Sequence, residues 1–165
     1  MTGRTHNILL LALGNDILGD DAAGLVASRE LRKQFHDQID IVETSIAGFA
    51  LLDYLAGYEK VLILDSMVGT DHSQGSVREL TVKAFRSQAF SSPHYVGLMD
   101  VIELAERLEI DFPKDIRILV IEVSDPFVLR EGLTQEIDLQ LPRFVDEAEK
   151  ILRSWSCEMI NRNSN

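Results

Sequence analysis

The chain has 165 residues, of which 45% are hydrophobic and 26% charged, a balance that fits one globular domain and argues against a disordered or membrane-embedded chain. Sixteen Lys plus Arg stand against 27 Asp plus Glu, a formal net charge of −11, and a body this acidic repels phosphate backbones and anionic lipid. Neither nucleic acid nor membrane is therefore expected as a partner, and at this size a monomer is expected. Cys157 is the single cysteine; it can form no internal disulfide, which suits a reducing compartment. The early apolar run breaks at Gly14-Asn15-Asp16 instead of a small-residue cleavage site, so no signal peptide is expected and the cytoplasm is the expected location.

Asn7 to Leu13 is a continuous apolar run closed by Gly14, the pattern of a strand buried on both faces of a parallel sheet. After the polar turn 14–19, Ala23, Ala27, Leu31 and Phe35 recur every four residues and predict a helix over about 21–34. Residues 40–44 read as a second strand, 48–56 as a short helix, and 60–64 as a third strand ending at Asp65. Ser76 to Val82 alternates in the manner of a half-exposed edge strand, expected to run antiparallel. Ser91-Ser92-Pro93 has the form of a helix start, with His94 in the first turn and Leu98, Ile102 and Ala105 facing the core. Residues 116–121 read as a fifth strand. A long amphipathic helix is expected from Gln135 to Trp155, with Phe144, Ala148, Ile151, Leu152 and Trp155 on one side.

This alternation predicts a three-layer α/β/α sandwich: a mostly parallel twisted sheet, helices on both faces, and a single domain over residues 1–155. Residues 156–165 read as a polar, frayed tail. In such sheets ligands bind beyond the C-terminal ends of the strands where the strand order reverses, here expected between the first and third strands.

The loop Gly14-Asn15-Asp16-Ile17-Leu18-Gly19-Asp20-Asp21 occupies the place of a phosphate loop but lacks the Lys-Ser/Thr and Gly-x-Gly-x-x-Gly patterns, and its carboxylates would repel phosphate. No Gly-x-Ser-x-Gly elbow or His-Glu-x-x-His pair is present either. Asp21 at the turn into the first helix, Asp65 at the end of the third strand and His94 are brought to one sheet end by the expected topology. One imidazole and two carboxylates form an oxygen-nitrogen site suited to zinc or nickel. Each residue also has a plainer use: an Asp at a helix start caps it, an Asp after a strand orders a turn, and a lone His is commonly solvated. A helix N-terminus keeps an imidazole neutral, which favours His94 as a ligand; His6, His36 and His72 are expected to be solvated.

GNDILGDDAAG (14–24), LILDSMVG (62–69), SPHYVGLMDV (92–101) and EGLTQEI (131–137) together resemble the nickel-iron hydrogenase maturation endopeptidases, over roughly Asn7 to Leu152. The resemblance implies a five-stranded sheet with one antiparallel strand, and an endopeptidase that removes the C-terminal extension of a nickel-iron hydrogenase large-subunit precursor after nickel insertion. It places the metal-binding and catalytic positions on Asp21, Asp65 and His94. Nickel is then expected to arrive with the precursor, with zinc or cadmium able to occupy the site in vitro. The turn after the second strand, Glu43-Thr44-Ser45-Ile46, departs from the family's usual Asp-Gly-Gly-Thr, and Asp21 is shorter than the Glu of some relatives. A different class of function uses the same trio: a non-catalytic nickel carrier or checkpoint protein that docks on the precursor without cutting it.

Overall fold

The computed structural model describes residues 5–68, 74–82 and 98–162. Strand β1 (Ile8–Leu13) is buried at every position, as a six-residue apolar run requires when both faces are covered. It lies between β2 (Asp40–Thr44) and β3 (Lys60–Val68), parallel to both, and β5 (Asp115–Val123) lies parallel on the far side of β3. Strand β4 (Val77–Thr81) closes the edge antiparallel to β5, giving the order β2-β1-β3-β5-β4. The order reverses between β1 and β3, as the sequence predicted.

Alternation along the strands divides the core into two layers. Leu10, Leu62, Leu64, Leu119 and Ile121 face helices α1 (Ala23–Phe35) and α4 (Gln135–Arg162), meeting Ala27, Leu31, Phe144, Leu152 and Trp155. Leu9, Leu11, Ile63, Val120 and Met67 face the other way, toward Leu51 and Leu55 of the short helix α2 (Leu52–Leu55) with its leading 3₁₀ turn, and Leu98 and Ile102 of α3 (Leu98–Arg107). The result is the expected three-layer sandwich. Among the described residues no helix is long and apolar enough to cross a membrane.

Helix α1 lies close against the sheet because residue 24 has no side chain. A Cβ there would stand 2.7 Å from the Leu64 carbonyl oxygen and 2.9 Å from that of Leu13, both backbone atoms held by the sheet.

Three expectations change. Strand β3 continues through Asp65 to Val68, because β5 pairs with it residue for residue as far as Val68↔Val123; apolar content alone ended it too early. Helix α4 continues past Trp155 to Arg162, and Ser156, where fraying was expected, donates its hydroxyl to the Leu152 carbonyl one turn back. His6 is not simply solvated: its Nδ1 lies 3.0 Å from Asp40 Oδ1 and its Nε2 3.1 Å from the Asp37 carbonyl. His36 is exposed beside Asp37, and His72 falls outside the described residues.

Asp40, the first residue of β2, ties three segments together. Its carboxylate accepts from the Thr5 amide and hydroxyl and from the Tyr58 hydroxyl, besides meeting His6. Burial opposes its ionisation, but the hydrogen bonds outweigh that and hold the carboxyl well below the usual carboxylate range. A depressed folded-state pKa contributes stability that is complete above the unfolded value of about 3.9 and fades as pH falls through the folded value. Asp40→Asn should therefore cost about 1–3 kcal/mol at pH 7. In urea unfolding the gap from the parent should hold from neutral pH to about 5 and narrow below about 4; a gap that widens on acidification would contradict the assignment.

Candidate active site at the end of the sheet

The loop leaving β1 turns back on itself. Gly14 adopts φ +149°, and a Cβ on it would lie 2.2 Å from the Asp21 carbonyl oxygen, so the return of the chain over its own start requires glycine. A 3₁₀ turn over Gly19–Ala22 follows, with all four residues buried. Asp21 is therefore turned inward, at 3% exposure, instead of capping α1; the helix has no side-chain cap hydrogen bond.

Asp65 lies within β3 and is fully buried. Its Oδ1 accepts from the Ser66 amide at 2.7 Å, and the Ser66 hydroxyl donates to Asp21 Oδ1 at 3.2 Å. Ser66 thus meets both acidic groups, which sequence places 44 positions apart, Asp21 in the turn that follows β1 and Asp65 in β3. The expected third member, His94, lies outside the described residues. Among the described residues no group of three or more His, Cys, Asp or Glu side chains could hold a metal ion. Of the expected trio, Asp21 and Asp65 each meet Ser66, one at its hydroxyl and the other at its amide, and carboxylate oxygens are donors for a divalent cation.

Other features of this end were not legible in advance. Asp20 is 5% exposed and reaches to the start of α4, where Oδ1 accepts from the Thr134 amide at 2.7 Å and Oδ2 from its hydroxyl at 3.0 Å. Glu122 is 1% exposed and pairs with Arg78 at 2.7 Å. The register Asp65↔Val120 and Met67↔Glu122 puts it on the same sheet face as Asp65. A glutamate interrupting the apolar run of β5 was the available signal, since an acid buried in a strand needs a partner.

Arg29 of α1 gathers the outer rim. It grips Asp16 through two hydrogen bonds of 2.8 Å and Glu43 at the end of β2 through bonds of 2.9 and 2.7 Å. These contacts raise the Arg29 pKa, and its hydrogen bonds lower that of Asp16. Glu43, the residue before the last of β2, also faces Arg32 at 3.4 Å. The end of β2 is held to α1 by charge, and the first loop is held through the same guanidinium.

A doubly wound sheet whose strand ends carry two buried acids joined by one serine defines an α/β protein with its candidate site at the topological switch point. The family model for HycI, hydrogenase maturation protease, matches residues 25–151, more than half of the chain. The hydrogenase 2 maturation protease of Escherichia coli K12 is 29% identical over 164 residues, covering 95% of this chain and 97% of that protein. Among solved structures, the E. coli hydrogenase maturating endopeptidase HybD superposes with TM-score 0.77 at 25% identity, covering 90% of this chain and 93% of that one. The nickel-iron hydrogenase maturation protease HybD of Thermococcus kodakarensis gives TM-score 0.67 at 27% identity, covering 88% and 98%. The chain belongs to the hydrogenase maturation protease family, and it is accordingly a hydrolase of peptide bonds.

Proposed function

We propose that this protein removes the C-terminal extension of a nickel-iron hydrogenase large-subunit precursor after nickel has been inserted, and that the nickel held by the precursor is its recognition element. The observation that carries the reading is the pair Asp21 and Asp65, both buried and both bonded to Ser66, at the switch point of a maturation-protease fold. On this reading Asp21, Asp65 and His94 serve as ligands to the metal that arrives with the client. Zinc or cadmium would occupy the same donors in vitro.

Nickel in reach of the scissile bond supplies Lewis acidity, either to a water or to the carbonyl. The chain supplies the rest. One carboxylate accepts the proton released on attack, and the other keeps its place through Ser66. Specificity then follows from the cargo, because a precursor without metal offers these acids no cation to bind. The protein works as a monomer in the cytoplasm on this account, before the client subunit folds shut.

The test mixes the purified protein with nickel-loaded and nickel-free precursor and weighs the products by mass spectrometry. Shortening of the loaded precursor alone is expected. Shortening of both forms would remove the metal as recognition element, and binding of the loaded form without shortening would make the protein a carrier or checkpoint.

A further inference from the structure

We propose that Asp20 is a positioning residue: by gripping Thr134 it fixes the turn that presents Asp21, so that the start of α4 sets the geometry of the site. The proposal rests on the reading of Asp21 as a working carboxylate. Both oxygens of Asp20 are committed to one residue 114 positions away, Oδ1 to the Thr134 amide and Oδ2 to its hydroxyl. Thr134 is itself well anchored, since its carbonyl accepts from the Asp138 amide and its hydroxyl accepts from the Ile137 amide at 3.4 Å. The grip continues along the backbone. Gly19 donates to the Arg130 carbonyl at 2.9 Å, Arg130 donates to that of Ile17 at 3.0 Å, and Leu18 pairs with Arg130 in an isolated parallel bridge.

Residues 17–20 are thus fastened to residues 130–134, on the approach to α4. Asp21 is the next residue, and it has its own contact on the opposite side, with Ser66 of β3. A carboxylate one peptide unit from such a clamp moves when the clamp is released. Misplacement of about 1 Å can cost a reaction about a hundredfold, whereas a clamp that only stabilised the fold would change how much protein is folded and not how fast each folded molecule works.

The experiment measures kcat and KM for cleavage of nickel-loaded precursor, with Tm and the folded fraction of each variant. Asp20→Ala is expected to lower kcat per folded molecule by about 10- to 100-fold, with KM within about twofold of the parent. Thr134→Ser, which keeps both donors, should retain parental kcat, and Thr134→Val, which loses only the hydroxyl, should fall between. Thr134→Val decides the matter if Asp20→Ala does not fold. Unchanged kcat per folded molecule in the variants that fold would overturn the proposal, as would a change confined to KM. Asp21→Asn is measured alongside: parental cleavage by that variant would sink the reading of Asp21 itself, a failure distinct from that of the clamp.

Discussion

Replacing Asp65 with asparagine is expected to lower precursor cleavage by about 10²- to 10⁴-fold, the range over which a positioned proton-transfer group acts, while leaving a folded protein. The two halves of this expectation have separate physical grounds. Asp65 is fully buried within β3, where an ionised carboxylate carries a desolvation cost that a neutral amide of the same shape largely avoids. An asparagine side-chain oxygen can still accept from the Ser66 amide, which now donates to Asp65 Oδ1, so the strand keeps its local bond while the acidic group is gone. Tm should therefore move by no more than a few degrees, equivalent to about 1 kcal/mol in a domain of this size. The same comparison applies to Asp21→Asn, whose Oδ1 meets the Ser66 hydroxyl. Cleavage assays on both variants, with thermal unfolding as the control, check it; parental cleavage rates in correctly folded variants would remove these two residues from the chemistry.

Why Asp65 was legible as a candidate while its setting was not is a matter of what local pattern encodes. The apolar run before it, KVLIL, announced a buried strand, and an acid directly after such a run at a switch point is a candidate for function. That the strand continues through Asp65 and Ser66 depends on pairing with β5 more than 50 residues later, which no window of sequence contains. The first helix was legible because Ala23, Ala27, Leu31 and Phe35 share one face, and all four are buried. Asp20 and Asp21 are adjacent residues of one type, of which only Asp21 was singled out for the site. The fold separates them, sending one to Ser66 of β3 and the other to Thr134 at the start of α4. The bond between Thr134 and Asp20 is a tertiary contact between residues 114 positions apart, which no local pattern contains. The same holds for Arg29, whose place on the exposed side of α1 gave no sign that it would gather Asp16 and Glu43.

At the opposite end of the sheet from the candidate site, Trp155→Ala is expected to produce the reverse outcome: a large loss of stability with cleavage per folded molecule preserved. Trp155 is fully buried in α4 and donates from Nε1 to Asp115 Oδ2 at 2.8 Å. The Lys60 ammonium and the Arg117 guanidinium lie 5.5 and 5.4 Å from its ring. Lys60 and Asp115 begin β3 and β5 and are paired in register, so the indole fastens the last helix to the entry of two central strands. Removing it leaves a cavity in the layer formed with Phe35, Ala148 and Leu152 and leaves the buried Lys60 without a ring beneath it. Truncations of this kind cost about 3–5 kcal/mol, or a fall in Tm of about 10 °C at the 2–4 °C per kcal/mol usual for this chain length. Trp155→Phe retains most of the volume and loses the hydrogen bond to Asp115, for which about 1 kcal/mol is expected. Urea unfolding of the parent and both variants gives the order, and cleavage assayed well below each midpoint gives the second half of the prediction. If the rate per folded molecule fell with Trp155→Ala as it is expected to fall with Asp65→Asn, α4 would be transmitting disturbance along its whole length to Thr134. The two ends of the sheet could then no longer be treated as independent.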